Sequence, residues 1–192
     1  MPVEKIEYLV KLGWYKSFEA QKPVDANGNP EFWFNYSFTS FLEKKLSKDL
    51  EIFEYGSGHS TIKFSKYCKN IISVDNDLGW HNYLKNIQLP NSTLIFQDDL
   101  DLYPLEITKF NKKYDIIVID GKRRNACSML ILDYLKDGGV IIFDNLEKGY
   151  QKSIDLFLGS GFKLLEFTGI APLKSQATIT GVFYREDNVF MI

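Results

Sequence analysis

The sequence predicts an α/β fold built on one seven-stranded sheet, five parallel strands followed by a terminal antiparallel pair, with helices on both faces. Three observations predict it. From Glu51 onward, short apolar runs alternate with helix-length segments, the pattern of strands buried on both faces and joined by helical crossovers. The first run ends in a glycine turn, Tyr55-Gly-Ser-Gly58, that opens directly into a helix-like segment. Finally, the last two apolar runs are separated only by residues 169–176, fewer than the dozen or so residues a parallel crossover requires, so these strands must pair antiparallel.

Taken in order, residues 1–50 precede this pattern and form a helical, aromatic lead-in or lid, with residues 51–192 as the core of a single domain. The lead-in has an expected helix to about residue 12. A loop over 23–30, rich in Pro, Asp, Asn and Gly, follows, and a second helix is expected over 37–47. Between loop and helix stands Phe32-Trp33-Phe34-Asn35-Tyr36. Its rings either cover one end of the sheet or, with Trp14, Trp33 and Tyr36, wall a substrate site; the sequence leaves both readings open. The core strands are expected over 51–55, 70–75, 93–97, 114–120 and 140–144. A helix is predicted over 124–136, where Cys127, Leu130, Ile131, Tyr134 and Leu135 recur at helical spacing ahead of the turn Asp137-Gly138-Gly139. One more helix, over 150–158, leads to the closing strands 162–168 and 177–185.

With 192 residues, 45% of them hydrophobic, the chain can bury one sizeable core. A net charge of −2 carries no electrostatic footprint for a polyanion, which disfavours nucleic acid and anionic membranes as obligatory partners. Cys68 and Cys127 lie in apolar segments without metal-ligand spacing and read as core thiols of a reducing compartment. The first residues lack the basic start and apolar run of a signal peptide, and no apolar run approaches the ~20 residues of a membrane span. The expected location is cytoplasmic. Oligomeric state is not legible.

The chemistry concentrates in Glu54-Tyr-Gly-Ser-Gly-His-Ser-Thr61 and the acid that ends the next strand, Asp75. Glycine permits a tight turn and a close backbone approach to a ligand, the following helix start offers free N–H groups to an anion, and an acid about 20 residues past the first glycine can bind both ribose hydroxyls. This is a nucleotide-type pocket. A dinucleotide motif would place a third glycine at Thr61, so the NAD(P) reading is weakened.

With Phe53-Glu-Tyr-Gly-Ser-Gly-His-Ser-Thr61, Val74-Asp75 and Ile119-Asp120-Gly121, the chain from Glu51 to about Glu186 resembles the class I S-adenosylmethionine-dependent methyltransferases, a Rossmann-like superfamily, and among them small bacterial members of unassigned substrate. The resemblance implies that Gly56, Ser57 and Gly58 approach the methionine moiety of S-adenosyl-L-methionine, with Glu54 nearby, and that Ser60 or Thr61 binds its carboxylate. It implies Asp75 on the ribose and Asp98 on the adenine amino group; the plain alternative for Asp98 is a helix cap or a solvated acid. Asp120, at the carboxyl edge where open α/β sheets bind ligands, is the candidate catalytic residue.

Asp144 and Asn145 bring further oxygens to that edge. Asp120, Asp144 and Asn145 together resemble the Mg²⁺ ligands of metal-dependent O-methyltransferases, since hard cations take oxygen donors and lower the pKa of a bound hydroxyl. In those enzymes a lysine three places after the first Asp is the implied base; here that residue is Arg123, which stays protonated. The alternative is that Asp144 and Asn145 cap a turn or touch substrate. Lys122, Arg123 and Arg124 either bind an anionic group on the methyl acceptor or form a solvated helix start. His59, one residue from Gly58, either reaches the site or, as the readier assignment, serves loop structure, and Trp80 with His81 packs the helix after the second strand, where Trp80 could also edge the adenine pocket. The expected activity is methyl transfer to a small molecule, most readily at oxygen. An NAD(P)-dependent oxidoreductase and a non-catalytic binding protein on the same fold are the alternatives.

Overall fold

A computed structural model describes residues 6–192. Seven strands form one sheet: β1 (Glu51–Tyr55), β2 (Asn70–Asp75), β3 (Ser92–Phe96), β4 (Tyr114–Ile119), β5 (Leu135–Asp144), β6 (Lys163–Ile170) and β7 (Ala177–Tyr184). Their spatial order is β3-β2-β1-β4-β5-β7-β6. All neighbouring pairs from β3 to β5 are parallel, whereas β7 inserts antiparallel between β5 and β6. The expected closing antiparallel pair is thus present, and the chain order reverses between β1 and β4.

Alternation along the central strands assigns their side chains to two cores. Phe53, Tyr55, Ile117, Ile119, Ile141 and Phe143 face one side with Tyr103, Ile107, Cys127 and Phe157. That side is covered by a 3-10 helix (Tyr103–Lys109) and by α6 (Arg124–Ser128) and α7 (Gln151–Gly159). Ile52, Ile116, Val118, Val140 and Ile142 face the other side with Phe32, Phe34, Phe38, Leu42 and Phe64. There α3 (Tyr36–Leu42) and α4 (His59–Ser65) supply the cover, and α5 (Leu78–Ile87) links β2 to β3. Cys68 and Cys127 are buried free thiols.

The lead-in is therefore continuous with the second core. Phe32 and Phe34 are buried, and between them Trp33 turns the opposite way, its Nε1 donating to Pro172 O at 2.9 Å. Asn35 is fully buried: its Oδ1 caps α3 by accepting from Phe38 N, and its Nδ2 donates to Phe167 O and Thr180 Oγ1. Lys63 of α4, nearly buried, pairs with Glu31 at 2.9 Å and Glu43 at 2.8 Å. The helix expected over 37–47 ends early, at Leu42, and the first helix is seen as α1 (Glu7–Lys11), residues 1–5 lying outside the described part. An unanticipated α2 (Trp14–Ala20) follows a left-handed Gly13. A Cβ at Gly13 would fall 2.4 Å from Asp25 C, so the turn into α2 packs directly on the 23–30 loop.

One expectation fails plainly. The helix predicted over 124–136 stops at Ser128, a 3-10 turn occupies Ile131–Tyr134, and Leu135 begins β5. The helical spacing of Leu130 to Leu135 reflects burial beside Tyr114, with which Leu135 pairs before a bulge restores register at Ile116↔Val140. Lys136 is held at this strand end by Asp115 at 2.8 Å.

Candidate functional site

Because β1 and β4 are neighbours whose crossovers leave in opposite directions, their carboxyl ends open a crevice, the place where open α/β sheets bind ligands. Gly56 continues β1 with its N–H donating to Val74 O, and Asp120 continues β4 with its N–H donating to Tyr55 O. The two loops then touch. Gly56 has φ +97°, and a Cβ there would lie 2.8 Å from Gly121 N; a Cβ at Gly121 would meet the Tyr103 hydroxyl at 2.1 Å. Tyr103, fully buried, holds Val74 O from beneath. Glycine at both positions is what lets the loops pass.

A cleft of about 470 Å³ lies above this crossing, within the range of small-ligand sites. Gly56, Ser57, Gly58, Ser60, Asp75, Asp120, Asp144 and Asn145 all line it, joined by Trp33, Trp80, Lys174 and Thr178. Asp75 accepts from Ser57 N at 2.5 Å and from Asp77 N at 2.8 Å, so it fixes the glycine loop as well as facing the cleft. Burial raises its pKa, against those two N–H donors. Gly58 is extended, and a Cβ there would meet nothing within 4 Å. The first amides of α4, at His59 and Ser60, have no acceptor within the helix. His59 itself is buried, its Nδ1 2.5 Å from Pro23 O, and burial lowers its pKa. It ties the 23–30 loop to the start of α4 and also lines the cleft.

Glu54 and Thr61 lie behind the loop. Glu54 shares the strand face of Ile52, is fully buried, and accepts from the hydroxyls of Ser60, Thr61 and Ser73, each at 2.6 Å. Thr61 Oγ1 in turn accepts from Gly58 N. Burial pushes the Glu54 carboxyl up to about 7 despite these donors. Asp98 is exposed just past β3 and outside the cleft lining.

The Asp120 side is organised by Arg124. Its Nη2 donates to Asp120 Oδ1 at 2.9 Å, to Asp120 O at 2.8 Å and to Asn145 Oδ1 at 3.3 Å, its Nη1 to Asp144 O, and its Nε to Gly121 O at 3.0 Å. The Asp144 carboxylate turns away to accept from Thr180 Oγ1 at 2.5 Å. Burial raises the pKa of both Asp120 and Asp144; Arg124 opposes this at each, and the neighbouring Asp120 charge adds to the rise at Asp144. These residues do not fit the expected Mg²⁺ site. A guanidinium occupies the cationic position among their oxygens: Asp120 Oδ1 and Asn145 Oδ1 accept from Arg124, and Asp144 Oδ1 accepts from Thr180. Among the described residues no cluster of three His, Cys, Asp or Glu has metal-holding geometry.

Of the basic cluster, then, Arg124 is an internal clamp, Arg123 pairs with the exposed Asp101 at 3.1 Å, and Lys122 lines the cleft. Sequence reasoning missed Thr178. It is buried at the cleft wall with its hydroxyl unpartnered. Two threonines, Thr178 and Thr180, sharing the face of buried Val182 were the available signal, because a purely structural strand would place apolar side chains there.

No family model matches the sequence, and no curated protein matches it. Solved structures do. Over 78% of this chain and 87% of its own, a precorrin-6y C5,15-methyltransferase from Geobacter metallireducens superposes with a TM-score of 0.64 at 15% identity. The Rossmann-like methyltransferase fold is this chain's fold. The O-methyltransferase TomG from Streptomyces achromogenes, solved with S-adenosylmethionine, matches 96% of the chain and 92% of its own at 14% identity and a TM-score of 0.62. The spermidine synthase of Thermotoga maritima shares the fold too, at 14% identity and a TM-score of 0.56, covering 76% of this chain and 56% of its own. No helix among the described residues is long and apolar enough to cross a membrane.

Proposed function

We propose that the chain is an S-adenosylmethionine-dependent methyltransferase acting on a hydroxyl of a small molecule. The observation that carries this reading is the glycine loop and Asp75 converging with Asp120 on one cleft at the β1/β4 reversal. The fit to an adenosyl sulfonium rests on three features: backbone at Gly58 open to a ligand, carboxylates of Asp75 and Asp120 complementary to its positive charge, and an unpartnered Thr178 hydroxyl at the wall. The match to TomG, which extends over nearly the whole chain, supports including the lead-in in the same architecture.

When bound, the donor supplies an electrophilic methyl group on sulfonium. The chain's own residues align, exclude water and take one proton. Asp75 holds the ribose hydroxyls while keeping Ser57 in place. Trp33 and the 171–174 segment it binds close one wall. Asp120, made more basic by burial, would accept the proton of the acceptor hydroxyl whose oxygen takes the methyl group. Alignment supplies most of the rate in such a displacement, and the base contributes in proportion to how early the proton leaves. Arg124 is a positioning residue that fixes Asp120.

Calorimetry with S-adenosylmethionine, with NAD⁺ and NADP⁺ as comparison ligands, is the test. Binding of the methyl donor alone is expected, and Asp75→Ala should weaken it by roughly 1.5–3 kcal/mol through loss of a charge-assisted contact. Binding of a nicotinamide cofactor in its place, or of neither, would overturn the proposal.

A further inference from the structure

The donor cleft does not end at Arg124. Past the guanidinium it opens into a second cleft of about 500 Å³, lined by Lys122, Arg123, Asn125, Lys148 and Tyr150, with Gly121, Lys122 and Arg124 common to both. The two differ in charge. Asp75, Asp77, Asp120 and Asp144 line the first, and among the described residues no acid lines the second. Arg124 is the wall between them, its guanidinium spent on Asp120 and its flat face 5.7 Å from the Tyr150 ring.

The cations of the second cleft are not there to hold the fold. Lys122 and Lys148 are exposed. No ion-pair or side-chain hydrogen-bond partner of Lys122 is found among the described residues, and Lys148, whose charge also acts on Asp120, donates to the amide oxygen of Asn145 at 3.2 Å. Arg123 meets Asp101 at the surface, an exposed pair that water screens and that a better anion can displace. Clustered like charges repel, and such a cluster on a chain of net charge −2 focuses an anion into the cleft. Tyr150 adds a ring face beside them.

We propose that this second cleft is the acceptor subsite and that the acceptor is a small molecule carrying a phosphate or carboxylate, held by Lys122, Arg123 and Lys148 while its hydroxyl reaches Asp120. The inference rests on the methyltransferase reading for the word acceptor, but the anion site itself stands without it.

The experiment is calorimetric titration with phenyl phosphate, benzoate and the neutral benzyl alcohol, in low and physiological salt, on the wild type and on Lys122→Ala and Lys148→Ala. S-adenosylhomocysteine is titrated separately. One of the two anions is expected to bind about tenfold or more tightly than benzyl alcohol, as a charge-assisted contact implies, with affinity falling as salt rises. Which anion binds better separates a phosphate ester from a carboxylate. Each lysine variant should lose about fivefold or more in anion affinity, while Lys148→Ala keeps its affinity for S-adenosylhomocysteine. Equal binding of the neutral ring, or anion binding indifferent to both lysines, would overturn the proposal. An anion site without S-adenosylhomocysteine binding would refute the methyltransferase reading alone.

Discussion

On the β1–β2 side of the cleft, Glu54 and Asp75 are satisfied by three hydroxyls and two backbone amides. On the β4–β5 side, Asp120 and the Asp144 backbone lean on one guanidinium. Neutral donors hold a carboxylate without pairing its charge, so Asp75 faces the cleft unpaired, while Glu54, buried behind the loop, responds to pH. An ion pair offsets part of the charge and concentrates the risk: remove the cation, and two acids face each other in a poorly solvated place. The same residue type is thus held by neutral donors on one side and by a cation on the other.

Arg124→Met should break this contrast most severely. The side chain is 9% exposed and Asp120 23%, so the loss is set below that of a fully buried pair, at about 2–3 kcal/mol. Denaturant unfolding measures it, and adding Asp120→Asn to the variant should restore part of the stability by removing the stranded charge. A loss below about 0.5 kcal/mol would mean that the guanidinium is not the clamp.

The loop side is sharpened by a pair of glycine substitutions. Gly56→Ala places a Cβ 2.8 Å from Gly121 N at φ +97° and should cost about 2 kcal/mol or more through strain. Gly58→Ala meets nothing and should leave stability within about 0.5 kcal/mol, yet weaken S-adenosylmethionine binding if the ligand lies against that backbone. Unchanged donor affinity in a folded Gly58→Ala protein would move the ligand off the loop.

How far the sequence revealed this arrangement follows from which signals are local. Strands read well because burial on both faces writes continuous apolar runs, as in residues 116–119 of β4, and the short 169–176 link forced the antiparallel closure. The glycine turn and the acid ending β2 were legible from spacing alone. Arg124 was not, since its role depends on Asp144 and Asn145 arriving from a different strand, and the same oxygens that looked like metal ligands are its acceptors. Nor was the start of β5, where helical spacing in 130–135 arose from tertiary burial. Phe32 and Phe34 entering the core while Trp33 faces the cleft is a period of two that the aromatic cluster contained and that its density obscured.

Glu54 offers the smallest and most discriminating effect. Its carboxyl is raised from 4.5 to about 7, burial being the largest cause and the three hydroxyls opposing it. A raised folded pKa means that the native state binds the proton more tightly than the unfolded chain. The contribution to stability is therefore complete below pH 4.5 and is lost as pH rises through about 7. Glu54→Gln removes that titration and introduces an amide that cannot accept every hydroxyl, a cost of about 1 kcal/mol independent of pH. Because burial raises Asp75, Asp120 and Asp144 in the same direction, the raw pH profile cannot isolate Glu54, but the difference between wild type and variant can. Wild type should exceed Glu54→Gln in acid, and the gap should narrow by about 1–3 kcal/mol toward pH 7 and above. A gap that stays level would mean that the three hydroxyl donors offset burial and leave the folded pKa near the ordinary 4.5, so that Glu54 is ionised at neutral pH and protonated only in acid.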